Sequence, residues 1–142
     1  MLKKITFWTG GILLSLLVVV QFIPLAGAKT NPPVVAEPQW DNSQTKVLAQ
    51  RACYDCHSNE TKWPWYSNVA PVSWLVIYDT NEGRAVLNFS QWGQGEQEAG
   101  EAAETVQEGS MPPQISLLTH AEAHLTTAEK TQLITGLQAT FG

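Results

Sequence analysis

Both cysteines of the 142-residue chain lie in one pentapeptide, Cys-Tyr-Asp-Cys-His, which runs from Cys53 to His57. Two thiols at this spacing are typical of four kinds of site: a redox dithiol, one half of a zinc site, a short disulfide, or an anchor for covalently bound haem. The histidine that directly follows the second cysteine helps to separate these possibilities, because only some of them use it.

Three of the four interpretations leave part of the motif unexplained. Zinc needs four ligands, and the only other histidines, His120 and His124, lie more than sixty residues beyond Cys56. A thioredoxin-type dithiol is expected beside a βαβ pattern, which this sequence lacks, and a disulfide across so short a loop removes little entropy from the unfolded chain. Zinc stays open, because His120 and His124 are four residues apart and can share a helix face.

Covalent haem attachment uses the cysteines and the histidine together. Cys53 and Cys56 lie about one helical turn apart, so each thiol can form a thioether with one vinyl group of the same porphyrin. His57 then stands in position to ligate the iron. The sequence therefore predicts one covalently attached haem c at Cys53, Cys56 and His57.

Met111 is a candidate for the sixth iron ligand. It is the only methionine besides the initiator, and two prolines directly after it stiffen the loop on which it lies. A methionine thioether opposite a histidine raises the reduction potential and suits electron transfer. Filling of the core is an equally supported role for Met111 from composition alone, and His120 and His124 are rival ligands.

The N-terminus has the pattern of a membrane segment. Lys3 and Lys4 precede an apolar run from Ile5 to Ile23, which is close to the ~20 residues that a helix needs to cross a bilayer. The small residues that end at Ala28 also suit signal-peptidase cleavage. Residues 1–28 are therefore predicted to be a transmembrane anchor or a cleaved signal peptide, and the lysines predict that the rest of the chain faces the periplasm.

The charge balance limits the class of partner. The formal net charge is −5 at pH 7, and two of the eight basic residues are Lys3 and Lys4 in the membrane segment. Nucleic-acid binding rewards clusters of Lys and Arg, so the acidic composition argues against it. It suits a domain that meets a basic surface of a redox partner protein.

Residues 29–40 contain three prolines and are predicted to be an extended linker ahead of a domain at 41–142. That domain is expected to be mostly helical. A capping box of Asp41 and Gln44 predicts a helix from about Asn42 into the two cysteines. A second helix is expected after Pro71, although its β-branched start equally suits a strand.

Two more helices are predicted towards the C-terminus. Strong helix formers run from Glu96 to Glu108, and Gly109 is in position to end them; the glutamates are predicted to form a solvated face. Thr126 and Glu129 form a capping box for the last helix. Its apolar stripe consists of Leu133, Ile134, Leu137 and Phe141.

Several residues could surround the haem. Large indole rings suit the wall of a porphyrin site, although ordinary core packing explains each of them as well. Arginine and lysine side chains can pair with haem propionates. The tryptophans are Trp63, Trp65, Trp74 and Trp92, and the basic candidates are Arg51, Lys62 and Arg84.

The sequence resembles the small bacterial haem-binding domain proteins, which are monohaem c-type cytochromes usually tethered by one N-terminal helix. The matching segments are "NPPVVAEPQWD", "ACYDCHSNETKWPWYSNVAPVSWL", "NEGRAVLNFSQW", "EGSMPP" and "LTTAEKTQLITGLQATFG". The resemblance implies a cytochrome-c-like helical fold with haem held by Cys53, Cys56 and His57, and Met111 in the place of the distal methionine. The chain departs from the family's pattern in two places. The small-residue stretch "LAGA" keeps cleavage of a signal peptide open, and Ala121 is a loop change that touches no predicted ligand.

The sequence and the resemblance together predict an all-α, cytochrome-c-like domain around one covalent haem, with an N-terminal transmembrane or signal helix. The predicted function is that of a single-electron carrier with His57 and Met111 as iron ligands, rather than an enzyme. Two alternatives stay open: a haem-based sensor or peroxidase-like protein with an open sixth position, and a zinc-binding structural module.

Overall fold

The computed structural model describes residues 2–23, 29–95 and 97–142. Within these ranges the chain forms seven α-helices, three short 3₁₀ helices and no strand, which confirms the all-α prediction. An isolated bridge pairs Ala36 with Gln91. The α-helices are α1 (Leu2–Val20), α2 (Ser43–Ala52), α3 (Tyr54–His57), α4 (Val72–Val86), α5 (Ala102–Glu108), α6 (Gln114–Leu117) and α7 (Thr127–Phe141).

The chain divides into two compact units, and α4 runs from one into the other. The first unit comprises residues 1–29 and 63–79. In it, the side-chain amide of Gln21 forms two hydrogen bonds with the backbone of Ala70, at 2.9 and 3.0 Å. The indole N–H of Trp74 donates to the carbonyl oxygen of Ile23 at 2.9 Å. These bonds fix the residues after α1 against the segment that leads into α4.

The predicted membrane segment folds as α1, whose apolar side chains from Phe7 to Val19 are largely exposed. Across the residues that the structure describes, no helix is both long enough and apolar enough to cross a membrane. This finding gives the predicted transmembrane anchor no support. The alternative cleavage site after Ala28 lies outside the described residues.

The second unit comprises residues 30–62 and 80–142 and contains the cysteine pentapeptide. In it, α7 packs against α2 and α5. Leu48 of α2 and Leu133 and Leu137 of α7 are completely or almost completely buried. Two of the predicted stripe residues thus form the centre of the core, and Ile134 and Phe141 pack against it.

A very close contact joins α2 to α7. Gly136 of α7 lies against Thr45 of α2, and a Cβ atom on Gly136 would be 2.0 Å from Thr45 Oγ1. Only glycine fits at this point, because any side chain would overlap the buried threonine. The contact positions α2, and the chain passes from the end of α2 directly into Cys53.

The capping predictions have different outcomes. The capping box of Thr126 and Glu129 is confirmed, and Gly109 ends α5 with a φ of 82° as predicted. The capping box at Asp41 is wrong: the side chain of Asn42 caps α2 instead, accepting from the N–H groups of Gln44 and Thr45. The Asp41 carboxylate accepts from the Asn42 side chain, at 2.6 Å.

The third predicted helix begins later than expected. The chain forms a 3₁₀ turn at Ala99–Glu101 before α5, and Glu96 lies outside the described residues. The Gln97 side chain bonds to Gln91 O at 2.9 Å, and the Glu98 N–H donates to Val86 O at 3.2 Å. These long-range bonds hold residues 97–98 away from a helical path. The second predicted helix is confirmed as α4.

Candidate cofactor-binding site

The pentapeptide Cys53–His57 lies at a break between two helices. Helix α2 ends at Ala52, Cys53 has non-helical angles of φ −125° and ψ −34°, and α3 begins at Tyr54. The N–H groups of Cys56 and His57 both donate to the carbonyl oxygen of Cys53, at 3.1 and 2.9 Å. The prediction of one helix into the cysteines is therefore wrong at Cys53, and a separate tight turn holds both thiols and the imidazole.

Both cysteines are half-buried. Burial, together with the neighbouring Cys56, raises the pKa of Cys53 to about 12. Redox-active dithiols depend on a lowered thiol pKa, which provides the nucleophilic thiolate. The environment of Cys53 acts in the opposite direction, so the structure argues against a thioredoxin-type site.

The imidazole of His57 is held in one orientation by the backbone. Its Nδ1 lies 3.0 Å from the carbonyl oxygen of Leu87, an atom that can only accept, so Nδ1 donates the hydrogen bond. Burial lowers the pKa of His57, partly offset by hydrogen bonds to the backbone at Leu87 and Gly83, and so favours the neutral ring. The neutral tautomer with a proton on Nδ1 leaves Nε2 with a lone pair, which is the arrangement that a metal-ligating histidine requires.

Helix α4 presents one face to the pentapeptide, through residues at helical spacing. A Cβ atom on Gly83 would lie 2.7 Å from Cys56 O and 3.1 Å from Cys56 Cβ, so the helix backbone approaches the motif at van der Waals distance. Leu87, four residues later, supplies the carbonyl that accepts from His57. The next contact follows at Phe89, whose N–H donates to His57 O at 2.8 Å.

Arg84, the residue after Gly83 in α4, binds the loop that follows His57. Its Nε donates to Ser58 O at 2.7 Å, and its Nη2 donates to Thr61 Oγ1 at 2.8 Å. Its Nη1 and Nη2 reach Thr30 O at 2.8 Å and Asn31 Oδ1 at 3.2 Å. Through these four bonds to protein oxygens Arg84 has a structural role, which the sequence did not predict.

The other two predicted propionate partners differ in their surroundings. Arg51 pairs with Glu129, with Nη1 and Oε1 2.5 Å apart, and also donates to Glu122 O at 3.3 Å. The Lys62 side chain is exposed, and its backbone N–H donates to the carboxylate of Asp55. Pairing of Arg51, Lys62 or Arg84 with a propionate stays a prediction.

Residues 30–36, which we call the strap, are extended as predicted and are bonded along their length. Asn31 Nδ2 donates to Thr61 O at 2.8 Å, and Asn59 Nδ2 donates to Pro33 O at 2.9 Å. The N–H groups of Val35 and Ala36 both donate to Ser90 O, at 2.8 and 3.3 Å. The strap therefore covers the loop after His57 and ties it to the segment after α4.

An aromatic cluster packs behind the pentapeptide. Phe89, which is only 2% exposed, stacks on Tyr54 at a ring distance of 5.5 Å and lies 6.4 Å from the His57 ring. Trp40 and Phe141 contact Phe89 at 5.2 and 6.1 Å. The ring beside His57 is thus part of the core, so rotation of the imidazole is opposed by packing as well as by its hydrogen bond.

Met111 follows the end of α5, where its N–H donates to Thr105 O at 3.2 Å. The residue is 38% exposed, so core filling, the alternative role from composition, is not what the structure shows. Nearby apolar residues of the same loop, Ile115 and Leu118, are 59% and 83% exposed. The part of Met111 as an iron ligand stays a prediction.

The two remaining histidines are bonded to the backbone. His120 Nδ1 lies 2.9 Å from Ser116 O, and its Nε2 lies 3.8 Å from a carboxylate oxygen of Asp55 in the pentapeptide. His124 Nε2 lies 2.8 Å from Leu117 O. Among the described residues, no group of three or more His, Cys, Asp or Glu side chains could hold a metal ion, which leaves the zinc alternative without support.

Comparison with protein families gives a match to the haem-binding domain over residues 15–139. The chain belongs to the haem-binding domain family. Comparisons with curated proteins and with solved structures gave no match. The match covers the pentapeptide, α4 and Met111, so all four predicted haem ligands of this haem-binding domain lie inside it.

The residues present fit a haem group. Two cysteine thiols and an imidazole whose Nε2 carries a lone pair stand within one tight turn, and the orientation of the imidazole is fixed by its bond to Leu87. In this haem-binding domain, the parts of Cys53, Cys56 and His57 as haem-binding residues stay a prediction from the sequence. Sequence reasoning missed Gly83 and Leu87, for which the only signal was a glycine inside an otherwise helical segment.

Proposed function

We propose that the protein is a monohaem c-type cytochrome that carries single electrons and is not an enzyme. Cys53 and Cys56 hold the haem covalently, and His57 and Met111 ligate its iron. The observation that carries the proposal is the hydrogen bond from His57 Nδ1 to Leu87 O, within the same turn as Cys53 and Cys56. Neither a redox dithiol nor a structural disulfide requires an imidazole held in this orientation.

The covalent step is an addition without a leaving group. Cys53 and Cys56 would hold the haem, the sulfur of each bonding to one vinyl carbon and the thiol hydrogen going to the other carbon of the same vinyl group, so that no external oxidant or reductant would be consumed. The cysteines would have to be reduced for this reaction. Their separation by about one helical turn matches two vinyl groups on one porphyrin.

The proposed carrier role depends on the residues that would hold the haem. When bound, the haem would supply the one-electron couple of its iron. His57 and Met111 would supply an imidazole and a thioether to the iron, and ligation by both would leave no coordination position for a substrate. The acidic composition, with a net charge of −5, favours a redox partner with a basic docking surface.

The proposed location is the periplasmic side of the inner membrane. Lys3 and Lys4 ahead of the apolar run support this orientation. The domain would be held there by α1 or released by cleavage after Ala28. Membrane fractionation with N-terminal sequencing separates the two: a mature N-terminus at Lys29 marks cleavage, and recovery in the cytoplasmic fraction contradicts the proposal.

Acid-acetone extraction tests the covalent links. The full-length protein is expected to retain its haem, whereas a b-type haem would be extracted. The variants Cys53→Ser and Cys56→Ser are matched controls: each should retain one thioether, and the pyridine haemochrome band of each should shift to longer wavelength because one vinyl group stays unsaturated. Loss of the haem from the wild-type protein would show that the c-type assignment is wrong.

The redox-difference spectrum of Met111→Ala beside the wild type tests the sixth ligand. We expect the wild type to show a methionine-to-iron charge-transfer band near the red end of the spectrum and the variant to lose it. The partial exposure of Met111 favours one other candidate, a sensor or peroxidase-like protein with an open sixth position. That candidate predicts that the reduced wild-type protein binds carbon monoxide readily, with an unchanged spectrum in Met111→Ala.

A further inference from the structure

We propose that Arg84 is the positioning residue for His57: its guanidinium ties the loop after His57 to α4 and the strap, and thereby maintains the bond from His57 to Leu87. This inference rests on the proposed function only for its effect on the haem. Its structural part concerns residues 30–36, 57–61 and 83–89, all of which are described.

Arg84 lies between two residues that contact the pentapeptide. One residue earlier, Gly83 touches Cys56; three residues later, Leu87 accepts from His57. Arg84 itself donates to Ser58 O, the carbonyl directly after His57. Three consecutive residues of the chain, Cys56, His57 and Ser58, are therefore each held by one residue of α4 or its end.

The shape of the Arg84 guanidinium suits it to bind several oxygens at once. Its planar set of N–H donors is rigid, and here it reaches four oxygens in two different segments, the strap and the loop. One of these oxygens, Thr61 Oγ1, in turn donates to Asp55 O at 2.8 Å, inside the pentapeptide. A lysine at this position would keep the positive charge but, as a compact ammonium, could not hold this set of acceptors.

The loop is connected to the imidazole through the backbone of His57. Both backbone polar groups of His57 are hydrogen-bonded: its N–H donates to Cys53 O, and its carbonyl accepts from the N–H of Phe89. The bond to Leu87 is directional, so it depends on how the backbone at His57 is held. Arg84 restrains the peptide after His57 through Ser58 O, and so acts on the ring through the backbone.

Hydrogen exchange in the full-length protein tests the proposal through two protons: the Phe89 amide, which donates to His57 O, and the Nδ1 proton of His57. In Arg84→Lys both are expected to exchange about tenfold faster than in the wild type, because one or two charge-assisted hydrogen bonds are lost. The amide of Leu137, in the centre of the core, should exchange at the wild-type rate. Arg51→Lys is the matched control, since Arg51 also bonds one carbonyl and one side chain; it should leave both protons unchanged.

Two results would overturn the proposal. Wild-type exchange at Phe89 and His57 in Arg84→Lys would show that charge alone suffices, and an equal acceleration at Leu137 would show that Arg84 supports the whole domain rather than this loop. If Arg84→Lys does not fold, Asn31→Ala, which removes one acceptor of the guanidinium, should still give a smaller acceleration confined to Phe89 and His57. No acceleration there would also contradict the proposal.

The same variants separate this inference from the proposed function. With haem attached, the reduction potential is expected to rise in Arg84→Lys, because a weaker Nδ1 hydrogen bond makes the ligand less basic. If the wild type holds no covalent haem, the proposed function fails, yet the exchange of the Phe89 amide still decides the role of Arg84.

Discussion

Replacement of Gly136 by alanine should destabilise the second unit, although alanine is the better helix former. The new Cβ atom would lie 2.0 Å from Thr45 Oγ1 and 2.5 Å from Thr45 Cγ2, whereas ordinary contact begins at 3.4 Å. Helices α2 and α7 would have to separate locally by up to 1.4 Å. Thr45 is fully buried and β-branched, so its side chain has no free space into which it can turn.

The expected free-energy change follows from two opposing effects. Overpacking of a core contact of this severity costs about 3 kcal/mol. The gain in helix propensity from glycine to alanine returns about 1 kcal/mol. The net loss of about 2 kcal/mol corresponds to a fall in melting temperature of roughly 10 °C for a domain of this size.

Thermal and urea denaturation followed by circular dichroism would measure the change. Gly100→Ala is the matched control, because a Cβ atom there meets nothing within 4 Å; its stability should stay near the wild-type value. Thr45→Ala in the Gly136→Ala background should recover part of the lost stability, because it removes the two nearest atoms, and Thr45 Oγ1 has no hydrogen-bond partner to lose. The recovery should be partial, because the Cβ of residue 45 would still be 2.8 Å from the Cβ added at Gly136. A neutral Gly136→Ala variant, or strict additivity of the two changes, would refute this account of the helix contact.

Three further predictions concern other parts of the second unit. Gly83→Ala should lower the stability by about 1 to 3 kcal/mol and should also lower the yield of covalently attached haem, because the added Cβ would lie 2.7 Å from Cys56 O. Haem staining per milligram of protein measures the yield. A normal yield would contradict the close approach of α4 to Cys56. Phe89→Ala should cost about 3 to 5 kcal/mol, measured by urea denaturation, because it removes the central ring of the aromatic cluster; a loss below that of Gly83→Ala would place Phe89 outside the core. For Glu129, hydrogen bonds from Thr126 and the Arg51 side chain lower the pKa from 4.5 to about 2, so its stabilisation is complete above pH 4.5 and is lost as the pH falls towards 2. Glu129→Gln should therefore flatten the acid limb of stability plotted against pH, and an unchanged limb would show that the Arg51 pair does not couple to folding.

The sequence predicted those features that depend on residue type at short range. Thr126 with Glu129 and Gly109 mark helix ends because capping uses particular side chains three or four residues apart. The haem-binding role of Cys53, Cys56 and His57 is likewise a prediction from residue type and spacing. The cap of α2 was misplaced by one residue because Asp41 and Asn42 are both good capping residues, and only the fold decides which side chain turns towards the helix.

The supporting contacts of the site could not be predicted in the same way. The partner of His57 is a backbone carbonyl, and every residue has one, so nothing in the identity of Leu87 marks it. Arg84 was recognised as a charge, but its partners lie in segments 23 to 54 residues away along the chain. The break at Cys53 was hidden because the residues on both sides of it are compatible with helix.

The bonds of the strap have a consequence for the order in which the protein assembles. Its acceptor at Ser90 and the carbonyl of Leu87 that receives His57 both belong to a segment synthesised after the cysteines, and Leu87 follows His57 by 30 residues. Until that segment follows, the pentapeptide has neither its covering nor its hydrogen-bond acceptor, and closing such long loops is slow compared with forming a local turn. The newly made chain therefore carries its thiols on an open peptide, and the later return of residues 87–90 completes the hydrogen bonds that orient His57.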